Sequence, residues 1–103
     1  MSIILFLDIS IIIDIINMKA ITKILAQLRN EPHNVRFSDL CRLCEFFFGP
    51  PRQGGGSYMI YRTPWQGDPR VNIQNNKGRA KAYQARQVLK AIKRLESKNG
   101  TEK

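Results

Sequence analysis

Gly54-Gly55-Gly56-Ser57-Tyr58-Met59-Ile60-Tyr61-Arg62, followed shortly by Arg70-Val71-Asn72-Ile73-Gln74, decides how the chain folds. Ser57 to Arg62 has the aromatic and β-branched content of a strand, and the glycines before it mark a turn. Arg52 and Gln53 read as a short extended piece leading into that turn. In Arg70 to Gln74 the alternation is strict: Val71 and Ile73 face one side, Arg70, Asn72 and Gln74 the other. Pro64, Gly67 and Pro69 interrupt pairing, so Thr63 to Pro69 reads as a loop. Strands of this kind make a small antiparallel sheet packed on helices by one face and open on the other.

The helices are legible on either side. Ile21, Ile24, Leu25 and Leu28 recur at i, i+3, i+4 and i+7 between Lys19 and Glu31, the spacing of one helical stripe. Pro32 and Asn34 end that helix. Ser38 is a candidate N-cap for a second one, with Asp39 favourable in its first turn. There Leu40, Leu43, Cys44 and Phe47 repeat the spacing, and Gly49 with Pro50-Pro51 is the stop. Asn75-Asn76-Lys77-Gly78 is a turn cluster, after which Ala82, Ala85, Val88, Leu89, Ile92 and Leu95 form the stripe of a long helix over 80–97. The expected architecture is α+β, with two to three short antiparallel strands packed on helices.

At 103 residues the chain suits one domain and is too short for two. All 17 Lys and Arg follow Asn17, whereas Asp8 and Asp14 precede it. A bias of this size points to a polyanionic partner, and charge alone does not choose among RNA, DNA, an anionic membrane and an acidic protein. Cys41 and Cys44 are the only cysteines and His33 is the only histidine. A closed zinc site needs four ligands and a second pair is absent, so neither metal nor cofactor is expected. Two cysteines three apart on an apolar helix behave as small core residues, which suits a reducing cytosol.

Residues 1–17 differ from the rest, being a nearly unbroken isoleucine-rich run without one basic residue. A bilayer span wants ~20 apolar residues. Each central Asp costs about 2.5 to 3.5 kcal/mol on insertion, so Asp8 and Asp14 argue against spanning. The run also lacks the positive n-region and small-residue cleavage site of a secretory signal. Met18-Lys19 opens an ordinary amphipathic helix, and the simplest account is that translation naturally begins there. The expected division is a hydrophobic leader over 1–17, one domain over 18–98 and a polar tail over 99–103.

Residues 38 to 96 resemble the HicA toxin family, small bacterial mRNA interferases of type II toxin-antitoxin systems. The likeness is carried by a helix, the Gly56-Ser57 turn into a strand, Arg70-Val71-Asn72-Ile73 on a second strand, and a closing basic helix. It implies an α-β-β-β-α fold like that of double-stranded-RNA-binding domains, with helix 19 to 31 as an addition. It also implies a cytoplasmic protein that cleaves mRNA and is inhibited by a HicB-like antitoxin covering its active face. The family motif is Gly-Ser-His. Gly56 and Ser57 match, and Tyr58 stands where the histidine works in cleavage.

That departure matters chemically. Cleavage through the 2′-hydroxyl needs a proton acceptor or donor with a pKa near operating pH, which imidazole supplies. A phenol with a pKa near 10 is a poor base at neutral pH. Losing one general acid/base group removes about 10² to 10⁴-fold in rate. Tyr58, with Ser57 beside it, is therefore the candidate catalytic position of an endoribonuclease whose activity is weakened or lost. His33 can replace the missing imidazole only if its loop folds over the sheet.

The candidate RNA contacts surround that position. Gly56 belongs to a glycine run that is either an anion-binding nest or a plain turn, and Arg52 and Lys77 flank it. Arg62 ends the first strand, and Arg70, Asn72 and Gln74 form the polar row of the second. Arg79 and Lys81 charge the last helix's entrance, and Arg86, Lys90 and Arg94 extend a phosphate track along it. Tyr58, Tyr61 and Trp65 are candidate stacking platforms. Alternation puts the two tyrosines on opposite faces, and the family position selects Tyr58 as outward and Tyr61 as buried. The competing reading is a non-enzymatic basic interaction protein that binds RNA or an acidic antitoxin.

Overall fold

The computed structural model describes residues 9–67 and 69–100; residues 1–8 of the leader and 101–103 of the tail lie outside the described residues. Helix α1 (Ile9–Asn30) buries the predicted stripe Ile21, Ile24, Leu25 and Leu28. It already covers the ten described residues before Lys19, a stretch in which neither Gly nor Pro interrupts the backbone. Its first two turns touch no core, and Ile9, Ile12, Ile13 and Ile16 are all exposed. A single 3₁₀ turn at Pro32–Asn34 follows.

Helix α2 (Phe37–Phe48) starts one residue before Ser38 and lacks the predicted hydroxyl cap. Arg36 occupies the cap position in an extended conformation, with no side-chain cap bond. Backbone contacts explain the difference: Arg36 bridges to Arg79, and the Phe37 N–H donates to the Gly78 carbonyl at 3.0 Å. An orphan donor of the first turn is thus satisfied by main chain rather than by serine. Gly49 closes the helix, its N–H donating to the Glu45 carbonyl at 2.9 Å.

Four antiparallel strands then follow in simple order: β1 (Gln53–Gly55), β2 (Tyr58–Arg62), β3 (Arg70–Asn76) and β4 (Arg79–Ala80). Gly56 and Ser57 form the two-residue loop between β1 and β2, and Gly56 supplies the positive φ of 57° that such a loop demands. The fourth strand exceeds the two or three expected. Lys77 (φ 56°) and Gly78 (φ 88°) make a second two-residue loop with both residues left-handed, which folds Arg79 and Ala80 back on β3. Helix α3 (Ala82–Gly100) consequently starts later than position 80. The outer edge of β4 is covered, since the Ala80 N–H donates to the Val35 carbonyl at 2.9 Å.

The inner face of the sheet presents Tyr61, Val71, Ile73 and Ala80 to the helices. They meet Leu28 of α1, Leu40, Leu43 and Cys44 of α2, and Ala85, Val88 and Ile92 of α3 in one cluster. Fully burying a side chain such as Leu28 contributes about 1.5 to 3 kcal/mol, so this shared core, not helix propensity, holds the layers together. The Arg29–Glu96 pair linking α1 to α3 spans 3.8 Å and is half exposed, so it adds little. The architecture is α+β: helices on one face, an open four-stranded sheet on the other, and the order α-β-β-β-β-α running from α2 to α3 behind an additional α1.

Candidate nucleic-acid interface

Strand register decides which side chains share the open face. Tyr58 pairs with Gln74, Ile60 with Asn72, and Arg62 with Arg70. All six alternate with the buried set Tyr61, Val71 and Ile73, so they lie together on the side away from the helices. Tyr58 is 37 % exposed and Tyr61 is 0 %, so the two tyrosines take the orientations the family position selects. Five expected residues, Tyr58, Arg62, Arg70, Asn72 and Gln74, therefore form one surface around Ile60. Its chemistry is a phenol ring, two carboxamides and two guanidinium groups: stacking, hydrogen-bond donors and acceptors, and positive charge.

The tyrosine end of this face is bounded by both tight loops. Ser57 follows Gly56 there, and its carbonyl accepts the Asn75 N–H at 2.6 Å. Lys77 stands in the neighbouring loop, where the Asn75 Oδ1 accepts the Gly78 N–H at 2.6 Å. A lysine held left-handed costs roughly 1 kcal/mol or more relative to glycine, and Lys77 is exposed in that loop. Gly54 and Gly55 lie in β1, so the glycine run is strand and turn rather than an anion nest. Arg52 donates its N–H to the Ile60 carbonyl at 2.7 Å. Its register follows that of Tyr61, so it flanks the open row without belonging to it.

The helical cations do not continue the row as expected. Helix α3 packs against the opposite face of the sheet, and Arg86 is exposed on that layer, away from Tyr58. The Arg79 guanidinium donates to the Asn34 Oδ1, which ties it to the 3₁₀ turn. Lys81 precedes α3, and its carbonyl accepts the Ala85 N–H at 2.9 Å. His33 lies in the 3₁₀ turn packed beside α1, α3 and β4, so no histidine among the described residues stands on the open face.

Lys90 and Arg94 converge instead on Arg70 at the far end, where the 63–69 loop meets α3. That loop is pinned at two points. The Thr63 hydroxyl donates to the Pro69 carbonyl at 2.6 Å, and the Arg94 guanidinium carbon lies 4.2 Å from the centre of the Trp65 ring. Trp65 is only 8 % exposed, so it anchors the loop and is no open stacking platform. A cation over an indole face contributes about 0.5 to 2 kcal/mol. The Trp65 Nε1 is buried without a hydrogen-bond partner among the described residues.

The buried titratable groups are inert. Burial pushes the Tyr61 phenol far up, and the nearby Cys41 and Cys44 thiols and the Glu45 carboxylate push it further. Burial likewise raises the Cys44 thiol, with Cys41 and Glu45 adding to the shift. Neither is a nucleophile at neutral pH. One organising residue carries no signal in the sequence: Gln84 of α3 is buried, and its Oε1 accepts the Gln74 backbone N–H at 2.7 Å. Comparison with family models, with curated proteins and with solved structures finds no match for the chain.

Proposed function

We propose that this is a cytoplasmic HicA-like RNA-binding domain of a toxin-antitoxin system, with endoribonuclease activity weakened or lost. The observation that carries the reading is Tyr58: it follows the Gly56-Ser57 loop directly, is exposed, and shares its face with Asn72, Gln74, Arg62 and Arg70. A single strand laid on this face meets a ring for stacking, carboxamides for base edges and guanidinium groups for phosphates. A HicB-like antitoxin inhibits by covering the same face, and its acidity complements the net charge of +9.

A specific observation favours the second reading, a non-enzymatic binder: the open face offers no imidazole at the motif position. One assay separates them. Labelled mRNA is incubated with the parent, Tyr58→His and Tyr58→Phe. All three bind RNA, and affinity drops as salt rises because phosphate contacts release counterions. Only Tyr58→His cleaves at a substantial rate, about 10² to 10⁴-fold above the parent. Equal cleavage by the parent and Tyr58→Phe removes Tyr58 from the chemistry. RNA binding that ignores salt removes phosphate recognition.

A further inference from the structure

Helix α3 carries a cationic ridge that the open face does not use. Ala85, Val88 and Ile92 turn into the core, and at about 3.6 residues per turn Tyr83, Arg86, Lys90 and Lys93 fall on the opposite side of the helix. All four are exposed, Tyr83 by 56 %. The helix has no acidic residue before Glu96, and that carboxylate pairs with Arg29. Among the described residues no ion pair reaches Arg86, Lys90 or Lys93. Arg86 and Lys90, and then Lys90 and Lys93, are therefore uncompensated like charges four and three residues apart, an arrangement that destabilises a helix. A bound polyanion relieves that repulsion. We infer that this ridge is a second phosphate-binding surface, which grips the backbone of an RNA segment other than the one on the open face. It rests on RNA being the ligand, as read above, and not on Tyr58.

The chemistry of the ridge selects a nucleic-acid backbone over the other polyanions. Among the described residues of α3, none of the exposed ones is aliphatic. A protein interface centres on apolar side chains with charges kept to its rim, and a helix that lies in a membrane surface needs an apolar face to insert. The ridge offers neither. It offers guanidinium, ammonium and phenol groups, which donate to phosphate oxygens without reading bases. Arg86 to Lys93 runs about 10 Å along the helix, so the cations meet successive phosphates of a strand and not one isolated anion. The open face lies across the sheet from α3, so one short segment cannot touch both surfaces. Bound at both, the domain joins two segments of RNA.

The decisive variant is Arg86→Glu, which leaves the Trp65–Arg94 contact in place. It sets a carboxylate four residues before Lys90, the favourable order on a helix, so the full chain should melt about 1 to 4 °C higher. Binding of a short labelled RNA hairpin, followed by anisotropy, should weaken at least about ten-fold in the same variant. Arg86→Gln should lower the slope of log affinity against log salt by about one, the share of a single phosphate contact. A chain with Tyr58→Ala and Asn72→Ala, whose open face is disabled, should keep a salt-sensitive binding that Arg86→Glu then removes.

If folded Arg86→Glu binds the hairpin with the parent's affinity and salt slope, the ridge assignment falls and the open face stands. If Tyr58→Ala with Asn72→Ala abolishes all binding, there is no second surface and the assignment falls as well. If that double variant binds like the parent while Arg86→Glu does not bind, the open-face reading falls and the ridge stands. Polyglutamate of equal charge is the control for an acidic protein: if it displaces the hairpin as effectively as unlabelled RNA does, the ridge takes carboxylates and the phosphate assignment is overturned. Absence of RNA binding by the parent overturns both surfaces.

Discussion

Two tyrosines three residues apart divide the chemistry of β2. Tyr58 reaches solvent on the open face, whereas Tyr61 is fully buried with its hydroxyl unpartnered among the described residues. A buried hydroxyl without an acceptor is a cost, so Tyr61→Phe is expected to lie within about 1 kcal/mol of the parent at pH 7, neutral or more stable. The pH dependence has a definite sign. Burial raises the phenol in the folded state above its ordinary value of 10.0, so above that pH the unfolded chain loses a proton that the folded chain keeps. The stability tied to that proton is complete below about pH 10 and declines above it, by about 1.4 kcal/mol per pH unit. Tyr61→Phe has no such proton. Urea unfolding at pH 7 and pH 11 should show the difference moving in favour of the variant by roughly 1 kcal/mol; an unchanged difference would place the Tyr61 hydroxyl in water. The Cys44 thiol contributes its own alkaline decline, common to both proteins, and cancels in the comparison.

At the scale of elements, the joint between α3 and the sheet depends on one carboxamide. Strand β4 pairs only at Asn75 and Asn76, so the Gln74 N–H on that side has no strand partner and Gln84 supplies the acceptor. Gln84→Leu strands a buried donor and should cost about 1 to 3 kcal/mol, with faster exchange of the Gln74 amide. Gln84→Glu keeps an acceptor and should lose less. Equal losses in the two variants would mean that Gln84 acts by packing. The sequence holds no trace of this role, because Gln84 reads there as one polar residue beside an alanine stripe. The stripes themselves, Ile21 to Leu28 and Ala85 to Ile92, were legible because burial of one helical face imposes a period that survives in the residue order. Alternation fixed the sides of Val71, Asn72, Ile73 and Gln74 in the same way. A two-residue strand has no period, so β4 was invisible. Its loop also hides a left-handed lysine where asparagine or glycine is the usual signal. The Trp65–Arg94 contact joins residues far apart in the chain, and no local pattern encodes it.

At the scale of the whole molecule, two surfaces of opposite character share one chain. The cationic residues all follow Asn17, whereas the first turns of α1 expose Ile9, Ile11, Ile12, Ile13, Ile15, Ile16 and Met18, each between 43 and 70 % accessible. No residue before Ile21 is buried among the described residues, so these apolar turns do not contribute to the core. Among the described residues no helix is long and apolar enough to cross a membrane. Continuous exposed apolar surface of this kind drives association in water. A chain beginning at Met18 should therefore unfold within about 4 °C of the full chain, a change under about 1 kcal/mol for a domain of this size. Its RNA affinity should also be unchanged, because every candidate contact lies beyond Gly49. Sedimentation should show concentration-dependent self-association of the full chain and a monomer for the shorter one. If the shorter chain instead melts about 8 °C or more lower, residues 1–17 stabilise the fold through contacts that the exposed isoleucines do not reveal. If it remains folded but loses RNA, the apolar helix takes part in binding and the open face alone is insufficient.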